Sequence, residues 1–234
     1  MVNNKPLAML SWIGLTAVLP FAAGAQGTSP YPVMAPVEQY RMTPDAEIAL
    51  AKSAAPAAIS GEADVLVLGA SGYETAVHGR NGFVCLVERS WGKDFGKPEF
   101  WNAKVRSPFC YNPAAARSVL PAYLTRTTWA LTGVSEAQIE ERSRTQPAAS
   151  GIRTPEVGSM CYMLSKDGYL GDDVHGPWHP HLMFFLPRMP DAAWGANLAH
   201  SPVFENDAPT TPRTVFMVRV AYWSDGARDS TSLN

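Results

Sequence analysis

Charge is scarce in this chain. Of 234 residues only 19 are Lys or Arg and 21 are Asp or Glu, for a formal net charge of −2. No basic excess exists to release counterions from a phosphate backbone, which excludes a general nucleic-acid binder. No polybasic segment addresses an anionic membrane surface. Past the N-terminal stretch, no apolar run is long enough to span a bilayer, so the mature chain is expected to carry no transmembrane segment. A phosphate-cradling glycine loop, a CxxC pair and a nucleotide-binding fingerprint are all missing, as are internal repeats and low-complexity tracts. Cysteine is limited to Cys85, Cys110 and Cys161.

What is present reads first as an address. Lys5 supplies a positive start, LAMLSWIGLTAVLPFAA an apolar core, and Ala23-Gly24-Ala25 a small-residue cleavage site. Residues 1–25 are therefore expected to be a signal peptide cleaved near Ala25, leaving an exported protein, periplasmic or extracellular. Over the whole chain 46% of residues are hydrophobic and 17% charged, which predicts a packed domain rather than disorder. Residues 26–42, rich in proline, are expected as a flexible arm, residues 43–226 as a single domain and 227–234 as a frayed tail.

Local signals divide the domain. Thr43-Pro44-Asp45 reads as N-cap, first-turn proline and acidic first turn of a helix to about Ala54. Val65–Leu68 is a buried strand followed by a turn at 69–72. Asn81-Gly82 is the dipeptide preferred in tight hairpin turns, predicting that the runs on either side pair, with Val77 opposite Leu86. Asn112-Pro113 opens a helix through Ala130 that Pro121 should kink or divide, with Gly133 just past its end. Ser135-x-x-Gln138 is a capping box for a helix to about Arg144. Strands are expected at Ser159–Ser165 and His181–Leu186, and in VFMVRVAYW near the C-terminus. With no regular βαβ alternation, the fold class is α+β: a mainly antiparallel sheet with two or three helices, in a single domain stapled by one disulfide.

An exported chain meets an oxidising compartment, and three cysteines leave three single pairings open. Cys161 lies in the apolar run SMCYML, where a small thiol packs well. Cys85 lies in a strand-like run and Cys110 in a loop before a helix. The favoured pairing is Cys85–Cys110 with Cys161 buried and free, closing a loop that would stabilise the fold by roughly 3 kcal/mol.

Four blocks occur in order: NGFVC (81–85), PFC ending at Cys110, CYML (161–164) and PHLMF (180–184). Together they resemble a family of uncharacterised exported bacterial proteins with an NGF or NGW turn before a cysteine, a second cysteine, a YML strand and a PHxM strand. The chain departs from that pattern at Val84, where threonine is usual, and in the extra Cys161. The resemblance supports a Cys85–Cys110 disulfide and marks His181 as the histidine that matches the pattern. It implies no activity.

Three of the five histidines, His175, His179 and His181, fall within seven residues, just after Asp172 and Asp173. On a strand His179 and His181 would face one side, and His175 or Asp173 reaching in would complete the three-ligand set of a catalytic zinc. The metal candidates are thus His175, His179, His181 and Asp173. The pattern falls short of the zinc D-alanyl-D-alanine peptidases, because seven residues after His78 stands Cys85 rather than aspartate, and no glutamate follows His181 as a germin-like cupin requires. Glu74, Glu88, Asp172 and Asp173 are carboxylates for an acid–base pair. Trp91, Trp101, Trp178, Trp194 and Trp223 are candidates for a stacking platform. No set is a complete catalytic signature. The reading is therefore an exported globular protein without catalytic activity, binding a small ligand or an envelope component and needing no cofactor. The alternative is a zinc-dependent hydrolase built on the three histidines.

Overall fold

The computed structural model describes residues 1, 29–172, 179–206 and 212–230. The expected signal peptide therefore lies outside the described residues, apart from Met1, as do Asp173, His175 and Trp178. Eight strands form one sheet: β1 (Asp64–Leu68), β2 (Tyr73–Val77), β3 (Val84–Glu88), β4 (Ser107–Tyr111), β5 (Met160–Met163), β6 (His181–Pro187), β7 (Val203–Asn206) and β8 (Arg213–Arg219). Their order is β2-β1-β3-β4-β5-β6-β8-β7, and every pair is antiparallel except β1 with β3. Five α-helices accompany it among the described residues: α1 (Pro44–Lys52), α2 (Ala57–Ser60), α3 (Pro113–Ser118), α4 (Leu120–Leu131) and α5 (Glu136–Thr145). The class is mixed α+β, with a larger sheet and more helices than the two or three expected.

Strand periodicity sorts the side chains onto two faces. Cys85, Val87, Cys110 and Tyr162 point to one, where Ala51, Ala54 and Ala55 of the α1 region cover them. Leu86, Tyr111, Cys161, Phe185 and Val215 point to the other, beneath Val119, Leu120, Tyr123, Ala130 and Ile139 of the α3–α5 region. Cys85 and Cys110 stand directly opposite in the β3–β4 ladder and form the disulfide, while Cys161 is free and buried. Cys110 is thus a strand residue rather than a loop residue.

Several caps are as the residues predict. Pro44 opens α1 after Thr43. Asn112 accepts a hydrogen bond from the Ala115 amide at the start of α3. The helix predicted from Pro113 divides at Val119, one residue into the approach to Pro121, because Pro121 has no amide to donate back into α3. Gly133 takes φ +80° after α4, and the Ser135–Gln138 capping box is complete at α5.

The predicted hairpin is not. β2 pairs with β1, and β3 lies on the other side of β1 in parallel register, Asp64 with Val84 and Val65 with Cys85. The Asn81-Gly82 turn exists, with Gly82 at φ +75° and Asn81 Oδ1 accepting from the Phe83 amide. It bends the chain back beside β1, however, not beside β2. The reason is burial: Asp64–Leu68 carries an apolar VLVL run that belongs between two neighbours, whereas β2 exposes Glu74, Thr75 and Ala76 and suits the sheet edge. β7 and α2 were not expected, the former because its residues VFEN sit in a stretch read as loop.

Residues 29–42, the described part of the 26–42 stretch expected as a flexible arm, pack Tyr31, Met34, Ala35 and Tyr40 on the core. Tyr40 is fully buried and donates to the Trp101 carbonyl at 2.7 Å, and its own carbonyl accepts from Arg89 Nε at 2.7 Å. Tyr31, Tyr169 and Lys104 converge on Asp172, holding that carboxylate down to about 2. At the other end Asp229 bonds His179, tying part of the expected tail to the domain.

Candidate functional site

The three-histidine cluster meets the structure in part. His181 begins β6, is 5% exposed, and sits opposite Met163 and Arg219. Its Nδ1 lies 3.0 Å from the His179 carbonyl oxygen, and His179 Nδ1 lies 2.8 Å from Asp229 Oδ2. A carbonyl can only accept, so Nδ1 of His181 carries the proton and Nε2 the lone pair. Burial lowers the His181 imidazole to about 4, keeping it neutral at physiological pH. Phe204 of β7 lies edge-on to its ring. His175 and Asp173 fall outside the described residues, and among the described residues no three His, Cys, Asp or Glu side chains gather as a metal set.

The other candidates separate. Glu88 is buried, Glu74 is exposed on edge strand β2, and Asp172 is exposed and bonded to Tyr31. Trp91 and Trp101 are core residues; Trp91 donates to Thr127 Oγ1 at 2.9 Å. Trp194 is partly exposed and stacks on Phe216 of β8 at 4.8 Å between ring centroids, with Phe184 of β6 at 5.5 Å. These three tryptophans cover core and sheet and present no shared platform.

The chemistry concentrates where the sequence offered only fragments. Between the helix-covered sheet face and α4–α5 lies a cavity of about 90 Å³, lined by Glu88 of β3, Tyr111 of β4, Arg213 of β8, and Ala122, Tyr123 and Arg126 of α4. Gly92 and Asp94 close the side after β3, and Ser143, Ser150 and Ile152 close the top. Three strands separate β3 from β8 in the sheet, yet side chains of both line one cavity. Ala122 and Arg126 share a helical face by their spacing of four.

Each polar group is positioned. Tyr111 donates to Glu88 Oε1 at 2.6 Å. A Cβ on residue 92 would stand 2.7 Å from Glu88 Oε2, so glycine leaves the carboxyl its place. Arg126 Nη1 donates to the Trp91 and Lys93 carbonyls, both at 3.0 Å, and its head stacks 4.3 Å from the Phe95 ring centroid. The Arg213 head lies 5.7 Å from the Phe185 ring centroid. Behind the cavity Tyr123 joins a second network: its hydroxyl accepts from the Arg89 amide at 2.7 Å and lies 3.0 Å from the Tyr73 hydroxyl, which donates to the Val87 carbonyl at 2.5 Å. Deeper still, Arg89 and Glu47 form an ion pair at 2.8 Å with both side chains essentially inaccessible to solvent.

Electrostatics set the character of the site. Burial raises the Glu88 carboxyl to about 7, against the opposing pull of Tyr111, Arg213 and Arg126. Burial and the neighbouring Arg213 charge lower Arg126 to about 10, and burial lowers Arg213 as well. Both guanidiniums remain protonated at any physiological pH. Around pH 7 the cavity holds two fixed positive charges, Asp94, and a carboxyl that exchanges its proton. Cys161, on the same sheet face, is pushed well above the usual thiol range by burial and is not a thiolate nucleophile.

Alternation in VCLVER puts Val84, Leu86 and Glu88 on one strand face, so the sequence did carry a sign that Glu88 points inward with core residues. Nothing in it links Glu88 to Arg126 and Arg213, which arrive from 38 and 125 residues away. No family model matches this chain, and neither a curated protein nor a solved structure matches it.

Proposed function

We propose that this is an exported, non-catalytic protein that binds a small polar molecule in the cavity between α4–α5 and the sheet. The observation that carries the reading is the cavity itself, where Glu88, Tyr111, Arg126 and Arg213 face a common space inside an otherwise apolar layer. Tyr111, Glu88 and Arg126 are already held by hydrogen bonds, so a ligand entering this space does not have to order them first. The Cys85–Cys110 disulfide fits an oxidising compartment, and no helix among the described residues is long and apolar enough to cross a membrane. A bound molecule stabilises the native state by mass action. Thermal denaturation across a panel of small metabolites tests this. Stabilisation of the wild-type protein that disappears in Ala122→Leu, which fills the cavity from α4, supports the reading. Stabilisation that survives Ala122→Leu, or none across the panel, refutes it.

A further inference from the structure

The geometry points to a small oxyanion, a carboxylate or sulfate-type group, as the ligand of this cavity, held by Arg126 and Arg213 and admitted together with a proton on Glu88. This rests on the cavity being the binding site and adds the class of molecule and its proton linkage.

Three observations carry it. First, two arginines from different elements, α4 and β8, line one small cavity together with Glu88 and Asp94, and with Glu88 protonated the positive charges outnumber the negative there, which favours a further anion. Second, the donors suit an oxyanion. Arg126 is fixed by its Nη1 bonds and its stack on Phe95, and its Nε and Nη2 make no hydrogen bond to a described residue. A guanidinium fork so oriented matches the paired oxygens of a carboxylate or sulfate. Third, the size agrees. A cavity of about 90 Å³ has room for a few waters or for one such group.

Glu88 supplies the linkage. It is faced by Tyr111 from β4, Cys161 from β5, Arg213 from β8, Arg126 and Tyr123 from α4, and Asp94 from the segment after β3. Glu88 is placed to change charge near neutral pH. When ionised it competes with an entering anion for the two arginines; when protonated it becomes a donor and that competition ends. A carboxyl titrating at about 7 is mostly protonated at pH 6 and mostly ionised at pH 8. An anion that binds only the protonated form therefore gains about tenfold in affinity from pH 8 to pH 6.

Calorimetric titration of the purified protein with acetate, sulfate and the neutral isostere acetamide, at pH 6 and pH 8, tests both parts. Neither acetate nor sulfate changes charge over that range, so the protein alone supplies any pH effect. The expected result is binding of acetate or sulfate but not acetamide, about tenfold tighter at pH 6. Affinity should fall at least tenfold in Arg213→Gln, and the pH 6 to pH 8 ratio should collapse to about one in Glu88→Gln. Arg126→Gln should weaken binding similarly, but its bonds to the Trp91 and Lys93 carbonyls put folding at risk, so the decisive variants are the other two. Acetamide binding as well as acetate, lost in Ala122→Leu, would overturn the anion class while leaving the cavity reading intact. Anion binding indifferent to Arg213→Gln, a pH ratio unchanged in Glu88→Gln, or no binding of any probe would each overturn the inference.

Discussion

Replacing Glu88 by glutamine should stabilise the protein, and by more as pH rises. The Glu88 carboxyl titrates at about 7 in the folded chain against an ordinary 4.5. Between those values the native state holds a proton that the unfolded chain has released, so stability falls as pH rises through the window and levels above it. At about 1.36 kcal/mol per pH unit, the wild-type protein forfeits about 1 kcal/mol by pH 5 and about 3 kcal/mol by pH 8. Because Glu88 is only 6% exposed, solvent screening takes little from that figure. Glutamine keeps an oxygen to accept from Tyr111 and cannot ionise, so its own stability is independent of this titration. Urea denaturation of both proteins at pH 5 and pH 8 isolates the effect, because every other titrating group cancels in the double difference. The expected double difference is about 2.5 kcal/mol in favour of Glu88→Gln at pH 8 relative to pH 5, a little over 1 M in midpoint for a urea slope of about 2 kcal/mol/M. A difference that is constant with pH, or that favours the wild-type protein at pH 8, would show that Glu88 ionises without penalty and that the cavity is not the desolvated space described.

Other consequences follow from the same physics. His181 titrates at about 4 rather than 6.5 when folded, so its contribution has the opposite sign. Stability is lost as pH falls from 6.5 towards 4, by up to about 3 kcal/mol, and His181→Gln should flatten that limb in acid denaturation. The Cys85–Cys110 bridge spans 25 residues and should contribute about 3.5 kcal/mol by chain entropy; Cys85→Ser with Cys110→Ser measures it, and peptide mapping that finds Cys161 in the bridge would contradict the pairing. Glu47→Ala strands the Arg89 charge in the core and should cost about 3–5 kcal/mol, whereas a paired replacement by apolar residues should recover much of it. Tag-free protein should retain no stoichiometric zinc by elemental analysis; zinc at one equivalent that is lost in His181→Ala would instead favour the hydrolase alternative.

What the residues disclosed and what they concealed divide along the range of the interaction. Asn112, Pro113, Pro121, Gly133 and the Ser135–Gln138 pair act on backbone within a turn of themselves, and the helices they predict begin, break and end where expected. The Asn81-Gly82 turn shows the limit of such signals. It says that the chain reverses but not which strand it meets, and the more apolar β1 took the place beside β3 that local reasoning gave to β2. The histidines drew attention because they are close in sequence. The cavity residues Glu88, Arg126 and Arg213 come together only once the sheet is assembled and α4 docks on it, so each looked locally like a strand end or a helix charge.

Nitrogen-detected NMR of the arginine side chains offers the most direct test of a ligand in this cavity. Titrating acetate at pH 6 should shift and saturate the Nε signals of Arg126 and Arg213, with the Glu88 carboxyl titration moving upward as ligand is added. Saturating shifts confined to exposed arginines such as Arg80 and Arg144, with Arg126, Arg213 and Glu88 unmoved, would contradict the account.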